Sequence, residues 1–218
     1  MNYEEVLAEY VRLRPRRLEL NAKLTRQLSK KVILKGGRKL GLFVDGTLCF
    51  ETEDETSVLM DYCIHECRDL GRNTVERYLT RPGIDEEDRG LLQAMKMARF
   101  SLFRITETVR GVGVKALDLF RQESVFIVDI NFGSTARNGL VLASRVMPFV
   151  DHLTTTGAAL PVDEELFDTI RTAVEAWGGT GAFGRVVGFS PDQQSELTAI
   201  VLRTCLARGA SHRVRYEL

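Results

Sequence analysis

The residue types best suited to chemistry crowd into one stretch, DYCIHECRDLG, at positions 61–71. Asp61, Cys63, His65, Glu66, Cys67 and Asp69 there offer carboxylate, thiol and imidazole groups. Zinc would use the thiolates and imidazole, whereas a hard divalent metal would use the carboxylates and imidazole. If the stretch is helical, Cys63 and Cys67 lie one turn apart on the side of Leu59 and Leu70. His65 then points roughly 200° away from Cys63. Thiols and imidazole cannot close on one ion within that helix. A four-ligand zinc site would need a second pair, and Cys49, Cys205, His152 and His212 are all isolated. Asp61, His65 and Asp69 follow i, i+4, i+8 spacing on the polar side, so they are the metal-ligand candidates of a metal-assisted hydrolase. The competing reading is an outward-facing imidazolium between two aspartates, with Arg68 and Arg72 pairing with those acids.

Two other motifs lose their chemistry in context. LFVDGTLCF resembles the nucleophile strand of haloacid dehalogenase phosphatases, Asp-x-Asp-Gly-Thr, but Phe43 stands where the nucleophile belongs. Asp45-Gly46 between two β-prone runs reads instead as a tight hairpin turn. GTGAFG, Gly179 to Gly184, has dinucleotide-loop spacing, but a helical pattern precedes it and an apolar run follows. This is the reverse of the strand-then-helix order that puts a helix N-terminus on a pyrophosphate. The polar run with Ser134, Thr135, Arg137 and Asn138 is a loop candidate for phosphate or backbone binding. There is no Gly-x-Ser-x-Gly elbow, His-Glu-x-x-His pair or Walker loop, and no catalytic residue is assigned.

Charge supplies the strongest binding signal. Lys and Arg total 30 and Asp and Glu total 30, yet the two signs are segregated. Between positions 12 and 39 Glu19 is the single acid among many cations; the next stretch is acidic. Arg16, Lys23, Arg26, Lys30, Lys31, Lys35, Arg38 and Lys39 are the candidate polyanion-binding residues, with RNA as one such ligand. The same asymmetry fits a basic segment docked on the acidic helix, a protein partner or a homodimer interface. The N-terminus lacks an apolar signal core and no apolar run reaches a membrane span, so the expectation is a cytoplasmic protein without membrane contact. The cysteines lack framework spacing and read as buried, reduced thiols. No cofactor is implied.

These groups must be positioned by an α+β chain. Residues 1–100 read as mainly helical: a short helix bent at Pro15, a second from about Arg16 to Lys31 and the Asp45-Gly46 hairpin. Helices starting near Thr52, Asn73 and Asp85 follow. Residues 101–162 read as a small antiparallel sheet or barrel of five strands: SLFRITETV, GVKALDLF, SVFIVDINF, LVLASRVM and FVDHLTTTG. Residues 163–218 return to helix, capped at Asp163 and at Ser190 with Pro191 following, and SHRVRYEL reads as a short terminal strand.

ETSVLMDYCIHECRDLGRNTVERYL, ARFSLFRITE and LVLASRVMPFVDHLTTTGAALPV together resemble an uncharacterised group of bacterial proteins across about residues 50–162. Those proteins have a helical domain and a small β domain, some with a C-terminal SEC-C zinc motif. The resemblance implies a bacterial cytosolic protein without implying an activity. This chain has only Cys205 in its last helix and lacks that motif. The functional expectation is a non-catalytic binding or adaptor protein, with the hydrolase built on Asp61, His65 and Asp69 as the alternative.

Overall fold

A computed structural model describes residues 2–157, 159–178, 183, 186 and 188–214. The chain is α+β, with helices on either side of a small closed barrel. Helix α1 (Tyr3–Thr25) is capped by Asn2 and runs unbroken through Pro15, so the expected bend into two helices is not observed. Buried residues on both sides of the proline hold it. Val6 and Tyr10 pack on Val128, while Leu13, Leu20 and Leu24 enter a cluster with Ile64, Leu91 and Leu92. Tertiary burial therefore outweighs the local cost of one missing helical hydrogen bond. The second boundary also differs from expectation. The helix stops at Thr25, and Ser29, whose Oγ accepts from Val32 N at 3.3 Å, caps a separate helix α2 (Lys30–Leu40).

The hairpin forms as expected from Asp45-Gly46: β1 (Phe43–Val44) pairs with β2 (Thr47–Leu48), and both turn residues have positive φ, 48° and 84°. Thr52 caps α3 (Glu53–His65), which ends at His65 with Glu66 as its C-cap rather than continuing to Gly71. Asn73 and Glu76 form the expected capping box of α4 (Thr74–Leu79), and Asp85 caps α5 (Glu86–Lys96).

Strands β3 (Arg99–Val109), β4 (Gly113–Asp118) and β5 (Glu123–Val128) form an antiparallel meander. Asp129 then caps a short helix α6 (Ile130–Thr135) where the sequence suggested strand and loop. Strand β6 (Val141–Pro148) pairs with β3 along one edge. Its other edge is divided between β7 (Leu153–Thr155) and β8 (Leu160–Val162). Parallel pairing of β5 with β7, Ile127 with Leu153 and Val128 with Thr154, closes five strands into a mixed barrel. The expected antiparallel barrel thus carries one parallel seam, and β8 lies outside the closed ring.

Helices α7 (Glu164–Ala176) and α8 (Pro191–Ala207) follow the expected caps, Asp163 and Ser190. Ala210–Arg213 is a 3₁₀ turn where a terminal strand was expected; residues 215–218, and most of Gly179 to Gly184, lie outside the described residues. Alternation sends Phe103, Ile105, Leu142 and Val146 into the barrel. Leu102, Val141 and Ala143 face outward into a second cluster shared with Leu59, Tyr62, Ile170 and Val201. That cluster draws on residues from all three sequence segments.

Candidate functional site

α3 is central rather than superficial. Val58, Leu59, Tyr62, Cys63, Ile64 and His65 are all buried, so apolar neighbours surround most of its circumference. This corrects the expected outward-facing imidazolium: His65 is 5% exposed. Its helix-mate Asp61 meets Arg145, whose place on β6 follows from strand parity. Val141, Ala143, Arg145 and Met147 share the outer, helix-facing side of that strand.

Arg145 is 3% exposed and organises the cluster. Its Nε donates to Asp61 Oδ2 at 2.8 Å and its Nη2 to Glu66 Oε1 at 2.7 Å. Asp61 Oδ1 accepts from Thr156 Oγ1 at 2.8 Å, and Glu66 Oε1 accepts from Thr198 Oγ1 at 3.4 Å. The node therefore ties α3, β6, the β7–β8 connection and α8 together. Burial alone would raise the Asp61 pKa, but the Arg145 charge and, less, hydrogen bonds from Arg145 and Thr156 hold it below the usual carboxylate range. Burial disfavours the Arg145 charge, yet Asp61 and Glu66 more than compensate and push its pKa up. Burial first, and the nearby Arg145 charge second, lower the His65 pKa to about 3 despite Asp61. The ring is neutral, and its Nε2 lies 3.9 Å from Asp61 Oδ1 without a hydrogen-bond partner.

The spacing that would unite Asp61, His65 and Asp69 as metal ligands needs a helix reaching Asp69. α3 ends at His65, and Asp69 is exposed in a turn closed by its own pairing with Arg72. Arg68 pairs with Glu76 at 2.8 Å, and Arg145, absent from the sequence reading, is the partner of Asp61. Arginine in the middle of the apolar strand LVLASRVM was the available signal. Among the described residues, Glu51, Glu55 and His212 have potential ligand atoms within 4.8 Å of one another. They already hold the 3₁₀ turn onto α3: Glu55 accepts from Glu51 N at 2.7 Å and Ser211 Oγ at 3.1 Å, and His212 Nε2 lies 3.0 Å from Glu51.

The thiols are divided. Cys63, Cys67 and Cys205 are buried, whereas Cys49 is exposed at the hairpin, contrary to the expectation for all four. Burial raises the Cys205 pKa to about 12. Around positions 134–138, Ser134 and Thr135 donate their hydroxyls to Ile130 O and Asn131 O inside α6, leaving Arg137 and Asn138 exposed beyond it.

The basic segment divides in two. On α1, Arg16 pairs with Asp85, Asp88 and, at 2.8 Å, Glu87; Lys23 lies 2.9 Å from Glu19 and 3.8 Å from Asp88. The docking partner is thus the first turn of α5, not the acidic helix that follows the hairpin. On α2, Lys39 pairs with Glu196 at 2.8 Å, and the Arg38 guanidinium lies 4.5 Å from the Phe43 ring centre. Lys30, Lys31 and Lys35 are exposed on α2 without an ion pair among the described residues, as is Arg26 at the end of α1. α2 carries five cations and no acid, and two of those cations occupy its first turn, where the helix end is itself positive. A groove of about 540 Å³ runs from Lys35 and Lys39 past Glu66 and Arg68 to Pro191.

Together these features define an α+β protein with a closed five-stranded barrel, a buried ionic node and one unneutralised cationic helix face. Residues 4–176 match the model of DUF7986, a family of unknown function, and the chain belongs to that family. No curated protein and no solved structure matches it. None of the described helices is long and apolar enough to cross a membrane.

Proposed function

We propose that the protein is a binding module for a phosphate-bearing polyanion, engaged through the exposed face of α2. The carrying observation is the division within the basic segment. Arg16 and Lys23 are neutralised by acids, whereas Lys30, Lys31 and Lys35 project from a helix without acids and have no ion pair among the described residues. Clustered cations of this kind release condensed counterions when they meet a phosphate backbone and need no base-specific contacts. Arg26 at the end of α1 and Arg38 on α2 extend the basic surface, and Lys39 borders the groove beside it. RNA is the test ligand. Titrating labelled single-stranded RNA at low and moderate salt should give binding that weakens with salt, and K30E/K31E/K35E should weaken it by about tenfold or more. Binding that is absent at low salt, or unaffected by the triple reversal, would remove the proposal.

A further inference from the structure

A second, smaller cavity lies where the C-terminal ends of α3 and α5, the start of β3 and the first turn of α8 meet. Its volume is about 80 Å³, and its wall carries Arg68, Lys96, Arg99, Arg121 and Arg145 against one carboxylate, Glu66. The acids balancing these cations mostly lie outside the wall. Asp118, fully buried, is 3.5 Å from Arg99 Nε and 3.4 Å from Arg121 Nη1; Glu76 takes Arg68, Glu123 takes Arg99, and Asp61 takes Arg145. Lys96 has no ion pair among the described residues.

Two buried polar atoms at this wall are left over. His65 Nε2 has no hydrogen-bond partner, and its side chain is 3% exposed. Arg99 Nε is likewise enclosed without a hydrogen bond, because Asp118 at 3.5 Å is too far and poorly placed to accept one. Buried donors are rarely left unmatched, and each such exception calls for a ligand, a water or a function. The first turn of α8 supplies Pro191 and Gln194 to the same wall, bringing the positive end of a 17-residue helix to the cavity. At roughly 10–15 Å³ for each enclosed water, the space suits one compact polyatomic ion and excludes a whole nucleotide.

We infer that this cavity binds a single compact oxyanion, a phosphate or sulfate group, with Lys96, Arg99 Nε and His65 Nε2 as its donors. His65 serves as the neutral Nε2–H tautomer, so the contact needs no proton uptake. Arg68, Arg121 and Arg145 supply charge from positions already fixed by carboxylates. The site is independent of the α2 reading, although Glu66, Arg68 and Pro191 also line the groove that leads to Lys35.

The test is an NMR titration of protein labelled with ¹⁵N in histidine, adding inorganic phosphate, sulfate or a simple phosphate monoester at ionic strength held constant with sodium chloride. A saturable shift of the His65 ring nitrogens is expected with phosphate or sulfate and not with chloride alone. K96E, at an exposed position, should weaken that binding by about tenfold or more, whereas K30E/K31E/K35E should leave it unchanged. Equal response to the monoester would show that the site takes the anionic end of a larger molecule; response to the free ions alone would identify the ion itself as ligand. No saturable His65 shift, or K96E binding as the parent does, overturns the inference. Phosphate binding in a protein that ignores RNA would sink only the α2 proposal.

Discussion

At the residue scale, Arg145 shows how much of a buried site depends on one side chain from a distant strand. A lone guanidinium satisfies two carboxylates of α3 and its C-terminus, 84 and 79 positions away in sequence. Removing one member of a buried ionic set leaves uncompensated charge and typically costs about 3–5 kcal/mol. Arg145→Ala should lose stability on that order in urea denaturation, and a loss below about 1 kcal/mol would contradict the node's role. His65 makes a separate, pH-dependent prediction. The unfolded imidazole titrates near 6.5 and the folded ring near 3, so the unfolded chain binds more protons between those values. Stability from the neutral ring is therefore complete above about pH 6.5 and is lost as pH falls towards 3, by at most about 1.4 kcal/mol per pH unit. Burial of His152 against Phe149 acts in the same direction. His65→Gln should accordingly flatten the dependence of the urea midpoint between pH 7 and 5; an unchanged slope would contradict the assignment. The carboxylates and histidine of this site were visible in DYCIHECRDLG, but their orientation was not. Reading polar residues as a solvated face presumes a surface helix, and α3 is enclosed.

Helix ends were the most readable features at the element scale. Asn73 with Glu76, Asp85, Asp163 and Ser190 with Pro191 all cap where side-chain chemistry places them, because capping is settled within a few residues. Pro15 and Ser29 mark the converse. The first is overridden by burial on both of its flanks, and the second starts a new helix inside the stretch from about Arg16 to Lys31 that reads as a single helix. The approach of α2 to α3 depends on a glycine whose role lies only in three dimensions. A Cβ at Gly36 would lie 2.5 Å from Cys63 Sγ and 3.1 Å from a Leu59 methyl, both fully buried. Gly36→Ala should therefore destabilise the protein by about 1–3 kcal/mol through overpacking, despite alanine's higher helix propensity. A thermal melt showing equal or greater stability would mean that the two helices separate at little cost.

Across the whole molecule, the barrel closes through a short seam. β5 and β7 share two residue pairs, whereas β6 contacts β3, β7 and β8 and carries Arg145 on its outer side. The strand pattern indicated a five-stranded β unit, but the parallel closure depends on a crossover that local alternation does not encode. Zero net charge likewise concealed the main electrostatic division: Arg12 and Arg16 of α1 pair with acids at the start of α5, while Lys30, Lys31 and Lys35 keep a positive face on α2. The most direct test of that division is the slope of log affinity for single-stranded RNA against log salt. Each phosphate contact contributes about −0.7 to the slope, so the wild-type slope should be clearly negative and K30E/K31E/K35E should reduce its magnitude by up to about 2. A wild-type slope near zero, or the same slope in the triple variant, would contradict the account.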